Sequence, residues 1–217
     1  MVSTQWPARP TLAEEFLLLA HLDIVGRPAA RISGLDCGLS GAVLAELALA
    51  GEIVVTSAGV TCRTRDASSA DDPWLWQIRE SKTPRTATGW VRALQTDVYS
   101  SVVQSLVDRQ ILRRIRGLGR RRTVFDRFTL VRPQFVAESQ QRLAAVASGR
   151  RDDPDGRASA FIELMAACGL PANTVLPYLP ARAGVEELAV RASVTPAVHE
   201  IARAVRSNAE LSTPAFW

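Results

Sequence analysis

The sequence has little cysteine and no long apolar run, and each shortage excludes a class of protein. Its three cysteines, Cys37, Cys62 and Cys168, are too few and too scattered to form a disulfide framework. We therefore expect reduced thiols in an intracellular protein, each a small residue of the core. No stretch of about 18 apolar residues occurs, so no membrane-spanning helix is predicted. The residues after Met1 also lack the basic and apolar regions of a signal peptide.

Lysine is almost absent as well. Lys82 is the only lysine, whereas lysine and arginine together number 26, so nearly all of the positive charge is arginine. The formal net charge of +4 is a modest basic excess that identifies no partner by itself. The length of 217 residues suits one large domain or two small ones with a real core. The positions of the arginines are therefore more informative than their number.

Residue types used in catalysis and metal binding do not cluster in the sequence. His21 and His199 have no cysteine or second histidine at ligand spacing, which argues against a metal site. Neither a phosphate-binding glycine loop nor a nucleophile elbow occurs. We therefore expect no catalytic residue and no cofactor, and the protein is not predicted to be an enzyme. Gly34, Gly38 and Gly41 are better explained by a tight turn that packs against a helix.

The spacing of apolar residues predicts a mostly helical fold. Thr11 and Glu14 form a capping box, and Leu12, Phe16 and Leu19 then fall on one face of a helix. Later apolar stripes predict further helices, marked by residues 39–47, 90–94, 98–106, 136–146, 161–168 and 198–205. The sequence thus indicates a helical bundle.

Two segments predict β-hairpins, and each follows a predicted helix. The first is formed by Glu52–Thr56 and Val60–Arg63, with a turn at residues 57–59. The second is the basic segment Arg109–Arg127, with its tip at Gly117–Gly119. A helix followed by a hairpin is also the plan of a winged helix, so a nucleic-acid-binding module remains an alternative function.

The second hairpin, named the basic hairpin from here on, is the main candidate for a functional site. Its lipid- or anion-binding candidates are Arg113, Arg114, Arg116, Arg120, Arg121 and Arg122. Each arginine at an anionic membrane surface contributes ~1 kcal/mol. Val124 and Phe125 are candidates for an apolar edge that enters the lipid interface. The alternative interpretation is a solvated, charge-rich hairpin that protects a sheet edge from aggregation.

The tryptophans carry a separate expectation. Trp90 lies on an apolar helix face and is expected in the core. Trp74 and Trp76 are also expected to pack against the core, with an interfacial aromatic pair as the alternative.

Two motifs resemble the Golgi phosphoprotein 3 family. They are Leu12–Leu19 and Gly38–Gly41, the latter continuing into Glu46–Gly51. Weaker similarities at residues 83–94, 106–126 and 161–167 extend the resemblance over residues 11–206. The resemblance implies a central helical bundle wrapped by amphipathic helices, with one or two small β-hairpins at the edge. It also implies a peripheral membrane protein that binds phosphatidylinositol 4-phosphate.

The family's headgroup residues are largely replaced. Aligned on the second motif, the family's aromatic position falls on Arg31 and an arginine position falls on Ser40. Aligned on the segment before the basic hairpin, two more arginine positions fall on Thr96 and Tyr99. Arg31 can still pair with a phosphate, whereas the other three carry no positive charge. We therefore expect a looser affinity for anionic surfaces, centred on Arg31 and the basic hairpin.

These observations predict a cytoplasmic, peripheral adaptor at the inner face of a membrane. We expect a flexible arm over residues 1–10, one domain over 11–206 and a frayed tail over 207–217. The expected partners are an anionic lipid surface, phosphoinositide included, and a second copy of the chain bound through the basic hairpin. Nucleic acid is less favoured because the helix before the basic hairpin is poor in base-reading side chains. A protein-interaction scaffold without a ligand is the third alternative.

Overall fold

The computed structural model describes residues 9–20, 34–63, 72–118, 124–170 and 194–212; at 116–118, 124–127 and 212 it describes the backbone alone. The helices are α1 Leu12–Ala20, α2 Leu35–Leu49, α3 Pro73–Arg79, α4 Ala87–Leu94, α5 Val98–Asp108, α6 Pro133–Ala147, α7 Arg157–Ala167 and α8 Pro196–Ser212. Two antiparallel hairpins join β1 Ile53–Thr56 to β2 Gly59–Cys62 and β3 Leu112–Leu118 to β4 Val124–Leu130. The predicted architecture, mostly helical with small hairpins, is confirmed.

Helix α2 forms the centre of the fold and packs against α1, α4, α5, α7 and α8. Two glycines permit this close approach. A Cβ on Gly38 would lie 2.6 Å from Phe16 Cε1, and a Cβ on Gly41 would lie 2.4 Å from Val205 Cγ2. Such distances exclude any larger residue without movement of the neighbouring helices. The interpretation of these glycines as packing positions is confirmed.

Helix α1 begins at the predicted capping box. The Glu14 amide donates to Thr11 Oγ1 at 3.1 Å, and the Thr11 amide donates to Glu14 Oε2 at 2.8 Å. Every residue of α1 is buried, including Glu14 and Glu15. Two buried carboxylates in an otherwise apolar helix require partners of opposite charge.

Both predicted hairpins form, and each follows a helix. The predicted tip of the basic hairpin was wrong, because Gly117 and Leu118 are paired residues of β3, opposite Phe125 and Val124. Gly51, with φ +75°, ends α2, and β1 pairs with β2 through a register that places Val55 opposite Val60. The Val60 amide also donates to the Arg85 carbonyl at 2.9 Å. This bond joins the first hairpin to the start of α4.

Helix α3 explains a wrong expectation about one tryptophan. The Asp72 carboxylate accepts hydrogen bonds from the Trp74 amide at 2.8 Å and the Leu75 amide at 3.0 Å, which begins the helix. Leu75 and Ile78 face the core, so Trp76 faces solvent and is 60% exposed. The expectation that Trp76 packs in the core was wrong. Trp74 packs against the core while half-buried.

The remaining tryptophan expectation and the start of the last helix are confirmed. Trp90 is only 2% exposed. Helix α8 begins after Thr195, whose Oγ1 accepts from the Val198 amide at 3.4 Å. It continues through Ser212, and therefore the expected fraying does not apply to residues 207–212. Asn208 is buried there, and its side-chain amide donates to the Ala204 carbonyl at 2.9 Å.

The cysteines are free thiols, as expected, although they differ in burial. Cys37 is buried, whereas Cys62 and Cys168 are partly exposed. Burial, with a smaller contribution from Cys37, raises the pKa of the Cys168 thiol to about 12. This thiol therefore stays neutral at physiological pH.

Candidate functional site

The basic hairpin is anchored to the body at its base. Gln110, with φ 56°, turns the chain out of α5, and the Ile111 amide donates to the Leu106 carbonyl at 2.9 Å. Leu112 and Phe128, one on each strand, are buried. The two strands stay paired from Leu112 opposite Leu130 to Leu118 opposite Val124. The paired strands of the basic hairpin therefore extend from a buried base next to the end of α5.

The first two candidate arginines lie on opposite faces of β3. Arg113 and Arg114 are consecutive strand residues, and side chains alternate between faces along a strand. Both are exposed. The Arg114 guanidinium lies 6.0 Å from the centre of the Phe128 ring, a cation–π contact on the face toward the core. Arg113 is therefore on the outer face of the hairpin.

The outer face combines positive charge with exposed apolar side chains. Ile115 shares this face with Arg113 and is 43% exposed. On the partner strand Thr129 lies opposite Arg113, and Val131, two residues further along, is 47% exposed. An exposed isoleucine and valine beside an arginine form a small surface that suits an interface between water and lipid.

Several of the candidates lie outside the residues whose side chains are described. Those outside the described ranges altogether are Arg31, Arg120, Arg121 and Arg122. Those known by their backbone alone are Arg116, Val124 and Phe125. The register places Asp126 opposite Arg116. One carboxylate is thus paired in register with one of the candidate arginines.

An open depression of about 600 Å³ lies between the inner face of the basic hairpin and α5. Arg114 lines it together with Arg109, Ser105 and Asp108. The Gln104 side-chain amide donates to the Asp108 carboxylate at 2.8 Å. The depression thus mixes positive, negative and hydroxyl groups and is less basic than the sequence suggested.

Sequence reasoning missed a buried cluster of ion pairs. Glu14 pairs with Arg109, and Glu15 pairs with Arg142 and, at 3.8 Å, with Arg157. The carboxylate side chains are 1% and 3% exposed. Burial lowers the pKa of Arg142, partly opposed by the charge of Glu15. The adjacent glutamates in an apolar helix were the only local signal of this cluster.

The same cluster extends to the N-terminal end of the described chain. Arg157 also pairs with Glu46 and donates to the Pro10 carbonyl at 2.9 Å. Glu46 in turn accepts from the Leu12 amide at 2.6 Å. These arginines are bound to carboxylates inside the fold, so they do not contribute to an external anion-binding surface.

His199 and Asp153 have structural partners, whereas His21 lies outside the described residues. Asp153 accepts from the Ser159 amide at 2.6 Å and from the Ala158 amide at 3.2 Å, at the start of α7. His199 Nδ1 lies 3.0 Å from Glu163 Oε1 in an exposed contact between α8 and α7. These contacts stabilise helix ends and a helix pair.

Three of the four positions that the sequence alignment matched to the family's headgroup residues lie among the described residues, whereas Arg31 does not. Ser40 is completely buried, and its hydroxyl donates to the Asp36 carbonyl at 2.7 Å. Thr96 is exposed at the end of α4, and Tyr99 is partly exposed in the first turn of α5. Ser40 therefore has no surface to offer a ligand, and the other two offer only neutral groups.

A comparison with known families decides the relationship. The family model Golgi phosphoprotein 3 (GPP34) matches residues 12–206. The chain belongs to this family. A comparison with curated proteins gave no match. The match begins at the first residue of α1 and ends within α8, so it includes both hairpins and the helices between them.

This member of the Golgi phosphoprotein 3 family offers no candidate for a membrane-spanning helix among the residues described. None of its helices there combines sufficient length with sufficient apolar character to cross a bilayer.

Proposed function

We propose that the protein is a peripheral membrane adaptor without enzymatic activity that binds anionic lipid surfaces through its basic hairpin. The observation that carries this proposal is the outer face, where exposed Arg113 lies beside exposed Ile115 on β3. Membership of the Golgi phosphoprotein 3 family supports it. Arg120, Arg121 and Arg122, which follow β3 in the sequence, add three more positive charges.

The expected free energy of binding favours reversible recruitment to the membrane. Four arginines at a negatively charged surface contribute ~4 kcal/mol, which corresponds to roughly a thousandfold enrichment. Ile115 adds a favourable apolar term if it enters the interface, of about 25 cal/mol for each Å² removed from water. Both contributions to membrane affinity are weaker than the contribution that a membrane-spanning helix would give. The protein would therefore exchange between membrane and solution.

The proposed selectivity is for surface charge. A phosphate monoester in a specific pocket requires charge-assisted, preferably bidentate donors. Ser40, Thr96 and Tyr99 cannot provide them. Phosphatidylinositol 4-phosphate would then be bound as one of several anionic lipids, because of its charge.

Vesicle co-sedimentation tests this proposal. Vesicles of phosphatidylcholine alone are compared with vesicles that contain phosphatidylserine, and with vesicles that contain phosphatidylinositol 4-phosphate at the same total charge. We expect binding to both anionic vesicles, little binding to neutral ones, and loss of binding at about 1 M salt, where the Debye length is about 3 Å. Equal binding to neutral vesicles would contradict the electrostatic mechanism. A strong preference for the phosphoinositide at equal charge would contradict the absence of a headgroup site.

The basic hairpin also remains our proposed contact for a second copy of the chain. Nucleic acid is the less favoured partner, because the exposed residues of α5, the helix before the hairpin, include Ser100, Ser101, Gln104 and Asp108. These residues offer no positive charge to a phosphate backbone, and Asp108 would repel it. Sub-micromolar retardation of duplex DNA in a gel, without vesicle binding, would reverse this order.

A further inference from the structure

A cleft of about 220 Å³ lies between α1, α2, α5 and the start of α3. Three buried aliphatic side chains line it, those of Val43, Leu47 and Val102. Trp74, which is partly exposed, lines it as well. The cleft is thus more apolar than the depression beside the basic hairpin, and the apolar part of a ligand would leave water on entering it.

The charged side chains that line this cleft are all acidic among the residues described. They are Glu14, Glu46 and Asp72. The Glu14 side chain is only 1% exposed and is bound to Arg109, so it has no surface to offer a ligand. The Glu46 side chain is 30% exposed, and Asp72 is partly exposed. These two carboxylates can therefore contact a molecule in the cleft.

Asp72 carries a negative charge that no cation of the described chain balances. Its Oδ1 accepts both hydrogen bonds that begin α3, from the amides of Trp74 and Leu75. In the described part of the chain Asp72 forms no ion pair, and its Oδ2 has no hydrogen-bond donor. A carboxylate oxygen left over beside an apolar cleft suits a cationic donor, because charge-assisted hydrogen bonds are the strong ones.

The arrangement does not suit a metal ion. Among the residues described, no three acidic, histidine or cysteine side chains form a group that could hold one. Ca²⁺ and Mg²⁺ need several oxygen ligands within about 2.6 Å. An organic cation can instead reach separate acceptors with different N–H groups. The exposed hydroxyls of Thr11 and Ser101 line the same cleft and are further acceptors.

We propose that this cleft binds a small organic cation, an ammonium or guanidinium group carried by a short apolar body. Asp72 and Glu46 accept hydrogen bonds from the cation, and Trp74 adds an aromatic surface that attracts it. The apolar body lies against the buried aliphatic side chains. The cleft is smaller than the pockets of drug-sized ligands, about 300–1,000 Å³, which indicates a small molecule. The site is separate from the basic hairpin and does not depend on the function proposed above.

The indole N–H of Trp74 gives a direct measurement. In a ¹H–¹⁵N spectrum of the full chain, the variant W74F identifies the Trp74 signal by its loss. Titration with n-pentylammonium chloride should shift this signal saturably. 1-Pentanol, a neutral molecule of nearly the same shape, should bind at least about tenfold more weakly, because it cannot form a charge-assisted hydrogen bond. Absence of a saturable shift, or equal affinity for the alcohol, would overturn the proposal.

A variant of Asp72 tests the charge without removing the helix cap. In D72N the asparagine still caps α3, because asparagine is as good an N-cap residue as aspartate. Its affinity for n-pentylammonium should fall by at least about tenfold. The matched control E210Q removes a negative charge from an exposed position of α8 that does not line the cleft, and it should bind as the parent protein does. Equal affinity of D72N and the parent protein, or equal losses in both variants, would overturn the proposal.

A second variant fills the cleft and leaves its charge unchanged. Ser101 is exposed on α5 and lines the cleft, so S101L adds apolar volume there without disturbing the core. The saturable shift of the Trp74 signal should disappear in this variant. The matched control S100L changes the adjacent exposed serine, which does not line the cleft, and should keep the shift. Circular dichroism confirms that each variant is folded. A folded S101L variant with the affinity of the parent protein would place the ligand elsewhere and overturn the site.

Discussion

Arg109, the residue that ends α5, forms an ion pair with Glu14, whose side chain is only 1% exposed in α1. Glu14 also accepts from the Ser105 hydroxyl at 2.7 Å. Because β3 begins at Leu112, this pair fixes the base of the basic hairpin to the core. The position of the proposed lipid-binding element therefore depends on one buried carboxylate.

The first prediction concerns this pair. The substitution Arg109→Met should lower the free energy of unfolding by about 3–5 kcal/mol, because it leaves the buried Glu14 charge without its partner. Chemical denaturation measures the effect. The double variant E14Q/R109M should lose less of the free energy of unfolding than R109M does, because it also removes the uncompensated charge of Glu14.

A matched control uses an exposed pair. Arg203 pairs with Glu200 on the surface of α8, where the Arg203 side chain is 66% exposed. Arg203→Met should change the stability by less than about 1 kcal/mol, as is usual for exposed ion pairs. A similar loss of stability in R109M and R203M would show that the burial of Glu14 does not increase the cost of breaking its ion pair.

The second prediction concerns the capping box. Thr11→Ala should lower the free energy of unfolding by about 1 kcal/mol, because the Glu14 amide loses the Thr11 hydroxyl. Thr11→Ser keeps that hydroxyl and should stay close to the parent protein. Thermal denaturation of the two variants separates them, and equal melting temperatures would show that the cap is dispensable.

The third prediction concerns two glycines at which substitution by alanine should change stability in opposite directions. Gly41→Ala should destabilise the protein by about 1–3 kcal/mol, since its Cβ would lie 2.4 Å from Val205 Cγ2 and 2.8 Å from Leu164 Cδ2. Gly89→Ala, in α4, meets its nearest atom at 3.5 Å and should stabilise by up to about 1 kcal/mol. A Gly41→Ala variant as stable as the parent protein would contradict the close packing of α2 against α8, and a destabilised Gly89→Ala variant would contradict the open space beside α4.

The local parts of the fold could be predicted from the sequence. The capping box, the packing glycines and both hairpins depend on residues a few positions apart, so a short window contains their signal. The partners of Glu14 and Glu15 could not be predicted, because Arg109 and Arg142 lie 95 and 127 residues away in the chain. Only the packing of α1 against α5 and α6 brings these charges together.

The site was predicted less completely than the fold. The sequence identified a run of arginines, but strand alternation places Arg113 and Arg114 on opposite faces. Trp76 was misjudged because a helix as short as α3 shows too little periodicity to separate its exposed side from its buried side.

The fourth prediction concerns pH. Burial raises the pKa of the Cys168 thiol from its ordinary value of 9.0 to about 12 in the folded protein. Above pH 9 the unfolded thiol ionises while the folded one keeps its proton, so stability is lost as the pH rises. At pH 10 the loss should be about 1 kcal/mol relative to pH 8. In Cys168→Ala this part of the pH dependence should disappear, and an unchanged slope would contradict the assignment.

The most direct test of the central proposal is vesicle binding by a variant of the three arginines that lie between β3 and β4 in the sequence. In R120Q/R121Q/R122Q, affinity for phosphatidylserine vesicles should fall by about 3 kcal/mol, roughly a hundredfold. The control R92Q/R151Q/R206Q removes the same charge from exposed positions elsewhere and should bind nearly as the parent protein does. Equal affinity of R120Q/R121Q/R122Q and the parent protein, or equal losses in both variants, would contradict lipid binding through the basic hairpin.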